Sequence, residues 1–329
     1  MRYLALLALL CACSSLATDE RSRLATYQRN AQLYFEGGRL EQTMIQVEKG
    51  LELEPDDYKL KSIKGAVLLR ASATASSVDH KRLDEATKVL GEVHEQRSDS
   101  RHEPSLLLYY AQALQKQGQR LLGESIRVEG DAQRNPDKAA AAAQHEQAAA
   151  AQQLADQHLQ QAWDLFGVLV ERGEILRFAH NHRMQIAGLR KQDDLFLEES
   201  DAFLQQNERA RDTVERQVQE AKTVDFEAER LRVRTELRSE ELEVRSLVAD
   251  FHYDRKNYAG ALSQLNRILQ LDPQRSTDYY NRGRVLLELG KQEQGKQEEA
   301  KQDFRRFLAT SPLPETAEQR TFARRALDQ

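Results

Sequence analysis

The stretch "LELEPDD" at residues 51–57 returns as "LQLDPQR" at residues 269–275, and reading the two as the ends of equivalent units decides the fold. Each word closes a run of apolar residues spaced by threes and fours, the spacing that keeps side chains on one face of an α-helix. Each also contains a proline, which lacks an N–H and fixes φ, so the helix stops there. Working back from Pro55, the large and small apolar positions fall at Tyr27, Ala31 and Tyr34 and then, past a turn at Gly37 and Gly38, at Thr43, Val47 and Gly50. Working back from Pro273 gives Val248, Ala249 and His252, followed by Tyr258, Ala261, Leu265 and Ile268. Near both ends of the chain, then, two short helices joined by a turn finish at a proline.

This pattern resembles the tetratricopeptide repeat, a helix-turn-helix unit of about 34 residues. A further copy begins at Tyr279, Gly283, Leu286 and Gly290 and resumes after a few extra residues at Ala300, Phe304, Phe307 and Pro312. Two degenerate copies lie between. Ile63, Gly65, Leu68, Ala86, Leu90 and Val93 fit one, interrupted by the polar run "ASATASSVDH". Leu107, Ala111, Leu114 and Gly118 open the other, whose second helix resumes at Ala162, Phe166 and Leu169. Thr43 and Gly50 depart from the usual alanines, and His252 stands where an aromatic or aliphatic residue is usual. Gly283 has no Cβ, which allows the two helices of its unit to approach closely.

Composition agrees with an all-α chain: 329 residues hold only 15 Gly and 6 Pro, and Ala, Leu, Glu, Gln and Arg abound. No alternating run of β-branched residues competes. The central third differs from the repeats. "AAAAAQHEQAAAA" (Ala139–Ala151) is an excellent helix former with little to bury, and its preface "EGDAQRNPDK" reads as a loop with Asn135 and Pro136 near the helix start. Between Gly188 and Gly260 there is no glycine, and between Pro136 and Pro273 no proline, which predicts one very long helix or a long helical hairpin. Phe203, Ala210, Val214, Val218, Ala221, Ala228 and Leu231 make a thin apolar stripe on this charged rod. The stripe fits either packing on the Ala-rich helix of the same chain or a coiled-coil seam for another subunit. Asp225 and Arg232 interrupt its heptads.

The reading at this level is a tetratricopeptide-type α-solenoid interrupted by a long, coiled-coil-like helical insertion. Repeats span 24–120 and 242–312, Ala-rich and charged helices fill 121–241, and 313–329 form a capping helix. In that cap Phe322, Ala326 and Leu327 cover the open apolar face, and Arg320, Arg324 and Arg325 stay in water.

At the amino terminus, Leu10-Cys11-Ala12-Cys13 closes a short apolar run that follows Arg2. It resembles the lipobox of bacterial lipoproteins. The resemblance implies a signal peptide over 1–12, lipid on Cys13 and a tether over 13–23 leading to a first helix near Leu24. Ser14, not aspartate, follows the modified cysteine, which implies sorting to the outer membrane. Three acyl chains exceed the two signals needed for stable anchoring. Cys11 and Cys13 are the only cysteines, so stability comes from packing and not from disulfides.

The formal charge is −5 and charged residues of both signs make up 31% of the chain, the profile of a solvated helical surface with no basic field for nucleic acid. No cofactor or metal is expected. His180 and His182 are two apart, on diverging sides of a helix, and Asp193, Asp194, Glu198 and Glu199 read as a solvated face. Ser125 has no nucleophile-elbow context, and no Gly-rich phosphate loop occurs, so enzymatic activity is not expected. The tetratricopeptide resemblance implies instead that first-helix side chains line a groove for another protein. By register these are Gln28, Gln32 and Phe35 near the amino terminus, Asp250, Tyr253 and Asp254 in the fourth repeat, and Tyr280, Arg284 and Glu288 in the fifth. No basic clamp for a partner's C-terminal carboxylate is evident from the sequence. The expected role is a lipid-anchored scaffold or adaptor of a bacterial envelope assembly, such as secretion, pilus, outer-membrane biogenesis or protease delivery. The alternative is a regulator that binds a cell-wall synthase or hydrolase.

Overall fold

A computed structural model describes residues 18–73, 79–96, 103–220, 224–291, 293 and 295–328. Cys13 and the expected signal segment over 1–12 lie outside the described residues, as does Ala221 of the apolar stripe. The described residues form helices joined by turns, and they divide between Gln192 and Asp193 into two compact units. The division falls inside the 121–241 segment.

The first unit contains α1 (Thr18–Glu36), α2 (Leu40–Leu53), α3 (Tyr58–Ser72), α4 (His80–Gln96), α5 (Pro104–Arg134), α6 (Lys138–Glu171) and α7 (Leu176–Leu189). Helix α1 begins at Thr18, six residues before the expected start near Leu24, and Asp19 and Glu20 in its first turn complement the helix dipole. Consecutive helices pair as α1/α2, α3/α4 and α5/α6, and the first helices of successive pairs, α1, α3, α5 and then α7, also pack on one another. Local chemistry sets the joints. Gly38 takes φ +71° in the α1–α2 turn, and the Asp57 carboxylate accepts from the Leu60 N–H at 2.8 Å to start α3.

Small residues set the spacing within and between pairs. A Cβ on Gly118 would lie 2.6 Å from Leu159 of α6, and one on Gly65 would run into Leu90 of α4. Gly50, the departure from the usual alanine, is occupied against: Leu60 of the next pair sits where its Cβ would be. Thr43 is fully buried and donates its hydroxyl to Arg39 O at 2.8 Å, which explains how a polar residue is tolerated there.

The α5/α6 hairpin is the unit's largest feature, with helices of 31 and 34 residues. The expected loop over 129–138 is nearly all helix, and only Asn135–Asp137 leave it. The Asn135 side chain accepts from the Asp137 N–H, and Asp137 in turn caps α6 by accepting from Ala139 and Ala140. The second helix of the degenerate repeat does not resume after a break, because the Ala-rich run and Ala162, Phe166 and Leu169 belong to one helix. Ala148 and Ala155 are buried, and Ser125 donates to Ala148 O at 2.8 Å, so small side chains let α5 and α6 approach closely.

The second unit contains α8 (Asp193–Gln219), α9 (Val224–Asp254), α10 (Tyr258–Leu271), α11 (Ser276–Gly290), α12 (Lys296–Thr310) and α13 (Glu318–Leu327). Each packs on the next. The apolar stripe finds its partner in α9, not in the Ala-rich helix, because Ala-rich α6 is already paired with α5. Phe203 and Val214 are buried, Phe196 stacks on Phe251 at 4.6 Å, and the buried Asn207 amide donates to Leu237 O at 2.8 Å. Ala228 and Leu231 at the other end of the stripe are exposed.

Two expected solvated groups are buried. Glu199 is 4% exposed, while its neighbour Asp193 pairs with Arg255 at the surface. Arg320 of the cap is 8% exposed, since its guanidinium donates to Ser311 O at 3.2 Å and to Glu315 at 2.6 Å, fastening the loop that leads into α13. Ala323 and Ala326 cover the core, and Phe322 meets Tyr280 and Phe304 edge-on. No described helix is long and apolar enough to cross a membrane.

Candidate partner-binding groove

In the first unit, α1, α3, α5 and α7 present one lined surface. A groove of about 390 Å³ lies among α1, α3 and α5, with Gln28, Gln32 and Phe35 on one wall and Ile63, Ala66, Leu106 and Tyr109 opposite. A second groove, of about 680 Å³, lies among α3, α5 and α7 and shares Tyr109 with the first. The three residues assigned by register near the amino terminus therefore come together. Gln28 donates to Asp57 at 2.6 Å, Gln32 donates to Glu36 at 2.6 Å, and Phe35 lies edge-on to Tyr109 with ring centroids 5.7 Å apart.

Arg70 joins the two grooves. Its guanidinium lies 3.9 Å from the Phe35 ring centroid and donates to Phe35 O at 3.2 Å and Tyr109 Oη at 3.3 Å. Stacking of a cation on a ring leaves its outer edge free for another acceptor.

The floor of the second groove is a chain of amides around one imidazole. Gln112 approaches His182 Nε2 at 3.0 Å, His182 Nδ1 lies 2.7 Å from Gln115 Oε1, and Gln115 donates to Gln185 at 3.0 Å. The His182 ring stacks on Phe166 at 4.8 Å. Burial, helped by the nearby Lys116 charge, pushes its pKa down to about 4, so the imidazole is neutral at pH 7. Phe178 stands 44% exposed on the α7 wall, beside Ile175, a β-branched residue held at φ +49°.

Sequence reasoning did not assign Arg70, Tyr109, Gln112, Gln115, Gln119 or Phe178. A signal was present. Gln112, Gln115 and Gln119 each follow by one residue a member of the buried series Ala111, Leu114, Gly118, just as Gln28, Gln32 and Phe35 follow Tyr27, Ala31 and Tyr34.

In the second unit the assigned residues form a different arrangement. Tyr253 of α9 accepts from Arg284 of α11 at 2.9 Å, and the guanidinium lies 4.6 Å from the Tyr253 ring and 5.8 Å from that of Tyr280. Tyr280 is built into the core against Phe307 at 5.2 Å, so little of it is presented to solvent. Burial raises the Asp250 pKa, and the like charges of Asp254 and Asp278 add to it. Glu288 pairs with Lys291 at 2.6 Å. Tyr253 and Arg284 thus satisfy each other, and Glu288 is taken up by Lys291.

Among the described residues, no group of three or more His, Cys, Asp and Glu side chains is placed to hold a metal ion. His182 serves the amide network, and Ser125 is buried as a helix-to-helix hydrogen bond.

No protein-family model matches the chain, and no characterised protein matches it by sequence. Solved structures do. A tetratricopeptide repeat protein from Parabacteroides merdae is 15% identical, with 93% of this chain and 98% of that one covered at a TM-score of 0.35. A thermophilic TPR protein from Thermus thermophilus is 12% identical over 94% of this chain and 100% of that one at 0.31. Yeast Tom70 is 13% identical over 92% and 88% at 0.19. The chain's own pairing of helices, with small residues at Gly65, Gly118 and Gly283 under large ones on the paired helix, supports the tetratricopeptide-type hairpins.

Proposed function

We propose that this chain is a non-catalytic scaffold that holds a segment of a partner protein in the α1–α3–α5–α7 groove of its first unit. The observation that carries this reading is the continuity of that groove, in which Tyr109 is shared by two adjoining cavities and Gln32, Arg70, Gln119 and Phe178 are all exposed. Aromatic faces, a stacked guanidinium and side-chain amides suit a polypeptide, whose backbone offers alternating donors and acceptors and whose side chains offer apolar area. Holding a polypeptide in such a groove needs no chemistry. It acts by raising local concentration and fixing orientation.

The lipobox-like amino terminus extends the proposal to place: lipid on Cys13 tethers the chain to the bacterial outer membrane, facing the periplasm, where it serves an envelope assembly. The described part of α1 begins at Thr18, five positions after Cys13, so the groove works close to the bilayer.

Metabolic labelling with palmitate and fractionation test the anchor. Label on the wild type, its loss in Cys13→Ala, and transfer of that variant to the soluble fraction are expected. Unlabelled wild type in the soluble fraction refutes the anchor and leaves the groove untouched. For the groove, Gln32→Glu together with Gln119→Glu is expected to abolish copurification of the partner at unchanged helicity, and undiminished recovery contradicts it.

A further inference from the structure

The groove differs in charge from the rest of the chain. The whole protein carries −5, yet among the described residues lining the α3–α5–α7 cavity the charged side chains are Arg70 and Lys116, with no carboxylate. His182 beneath them is neutral and adds no charge. Several other cations of the same helices are compensated: Lys61 pairs with Asp56, Lys64 with Glu85 and Arg120 with Glu124. Arg70, by contrast, is held by a ring, a carbonyl and a hydroxyl, none of which neutralises it. Lys116 has no ion pair among the described residues. The α1 end of the groove is mixed, with Arg29, Lys59 and Glu103 in the lining and Glu36 and Asp57 held at its edge by Gln32 and Gln28.

Two uncompensated cations at one end, next to an exposed phenylalanine and a tyrosine, select for a particular occupant. We propose that the α3–α5–α7 part of the groove takes an extended, acidic peptide segment of the partner protein, whose side-chain carboxylates meet Arg70 and Lys116 and whose apolar residue lies on Tyr109 and Phe178. This rests on the groove reading above and names the chemistry of its ligand. Arg70 suits the role because a guanidinium stacked on Phe35 is pre-oriented for a carboxylate, whereas Lys116 supplies a point charge. At the α1 end carboxylates stand beside the cations, whereas the α7 end has cations alone, so the acidic part of the bound segment lies toward α7.

The test uses the full-length protein in detergent and three fluorescein-labelled synthetic peptides. All share one Phe- and Leu-containing skeleton, carry Glu, Gln or Lys at the same sites, and end in an amide so that no terminal carboxylate contributes. Fluorescence anisotropy is expected to show the Glu peptide binding about tenfold more tightly than the Gln peptide, with the difference shrinking as salt is raised. Lys116→Gln, which has no ion pair to lose, and Arg70→Gln are each expected to weaken the Glu peptide several-fold and to shrink its advantage over the Gln peptide. Lys49→Gln with Arg325→Gln, which removes two cations that do not line the groove, twice the charge change of either groove variant, is expected to alter neither. Equal affinity for the Glu and Gln peptides overturns the charge inference while leaving a peptide groove standing. A Glu preference that survives in both groove variants, or that vanishes in the control pair, assigns the effect to the general surface and overturns it as well. If no peptide binds, the inference falls, and crosslinking from the groove in the envelope decides separately whether the groove reading falls with it.

Discussion

His182 Nδ1 lies 2.7 Å from Oε1 of Gln115, and this one contact fixes the protonation state of the groove floor. An amide oxygen only accepts, so Nδ1 carries the proton and donates it. The Gln112 amide then donates to Nε2 at 3.0 Å. A second proton on Nε2 would set two donors against each other beneath a buried ring.

That geometry predicts how stability depends on pH. The folded pKa is about 4 and the unfolded one is the ordinary value of 6.5, so the unfolded chain takes up the proton first. The stabilising effect is complete above pH 6.5 and is lost as pH falls from 6.5 toward 4. By pH 5 the loss from this site is about 2 kcal/mol. Urea unfolding at pH 7.5 and pH 5.0 checks it: His182→Gln should lose roughly 2 kcal/mol less than the wild type on acidification. Equal losses would show that His182 is solvated.

Glycine substitutions should act in opposite directions according to what faces them. A Cβ on Gly283 would lie 2.8 Å from the ring of fully buried Phe304, whereas nothing lies within 4 Å of one on Gly123, an exposed position inside α5. Gly283→Ala should therefore cost about 1–3 kcal/mol, and Gly123→Ala should stabilise by about 0.5–1 kcal/mol by restricting the unfolded backbone. Thermal melts followed by circular dichroism separate the two. A neutral Gly283→Ala would mean the α11/α12 spacing is slack.

Glu241 is 3% exposed and meets Arg211 at 2.6 Å and Arg245 at 2.9 Å, with Arg267 farther off at 3.9 Å. The cluster ties α8 to α9 and α9 to α10. Removing the shared acceptor strands three guanidiniums, so Glu241→Ala should destabilise by about 3 kcal/mol, more than truncating the exposed partner in the Arg232–Glu229 pair, at about 0–1 kcal/mol. Denaturant midpoints of the two variants make the comparison, and similar midpoints would refute a structural role for the cluster.

The repeats were legible because their signal is a spacing of buried residues, which any sequence displays. Ala31, Gly65, Gly118 and Gly283 recur where a first helix meets its partner, and the terminal prolines mark the unit ends. What could not be read was which long helix pairs with which. The Ala-rich run has no large side chain to announce its partner, and α5 accepts it through Ser125 and Ala132. The break between α8 and α9 likewise has neither glycine nor proline to mark it. The groove was half legible. One rule, a step of one residue from the buried series, places Gln28, Gln32 and Phe35 in it and would have placed Gln112, Gln115 and Gln119. Applied to the fifth repeat, the same rule yields Tyr280, which the aromatic cap of Phe304, Phe307 and Phe322 has drawn into the core.

The most direct test of the central claim is photo-crosslinking in the native cell from Gln32 and, separately, from its neighbour Leu33. Both are exposed on α1, yet only Gln32 lines the groove. A discrete protein adduct from Gln32, repeated from Gln119 and missing from Leu33, is the result the groove account predicts. Adducts from Leu33 with none from Gln32 or Gln119 would contradict it, placing the partner on another face of the first unit.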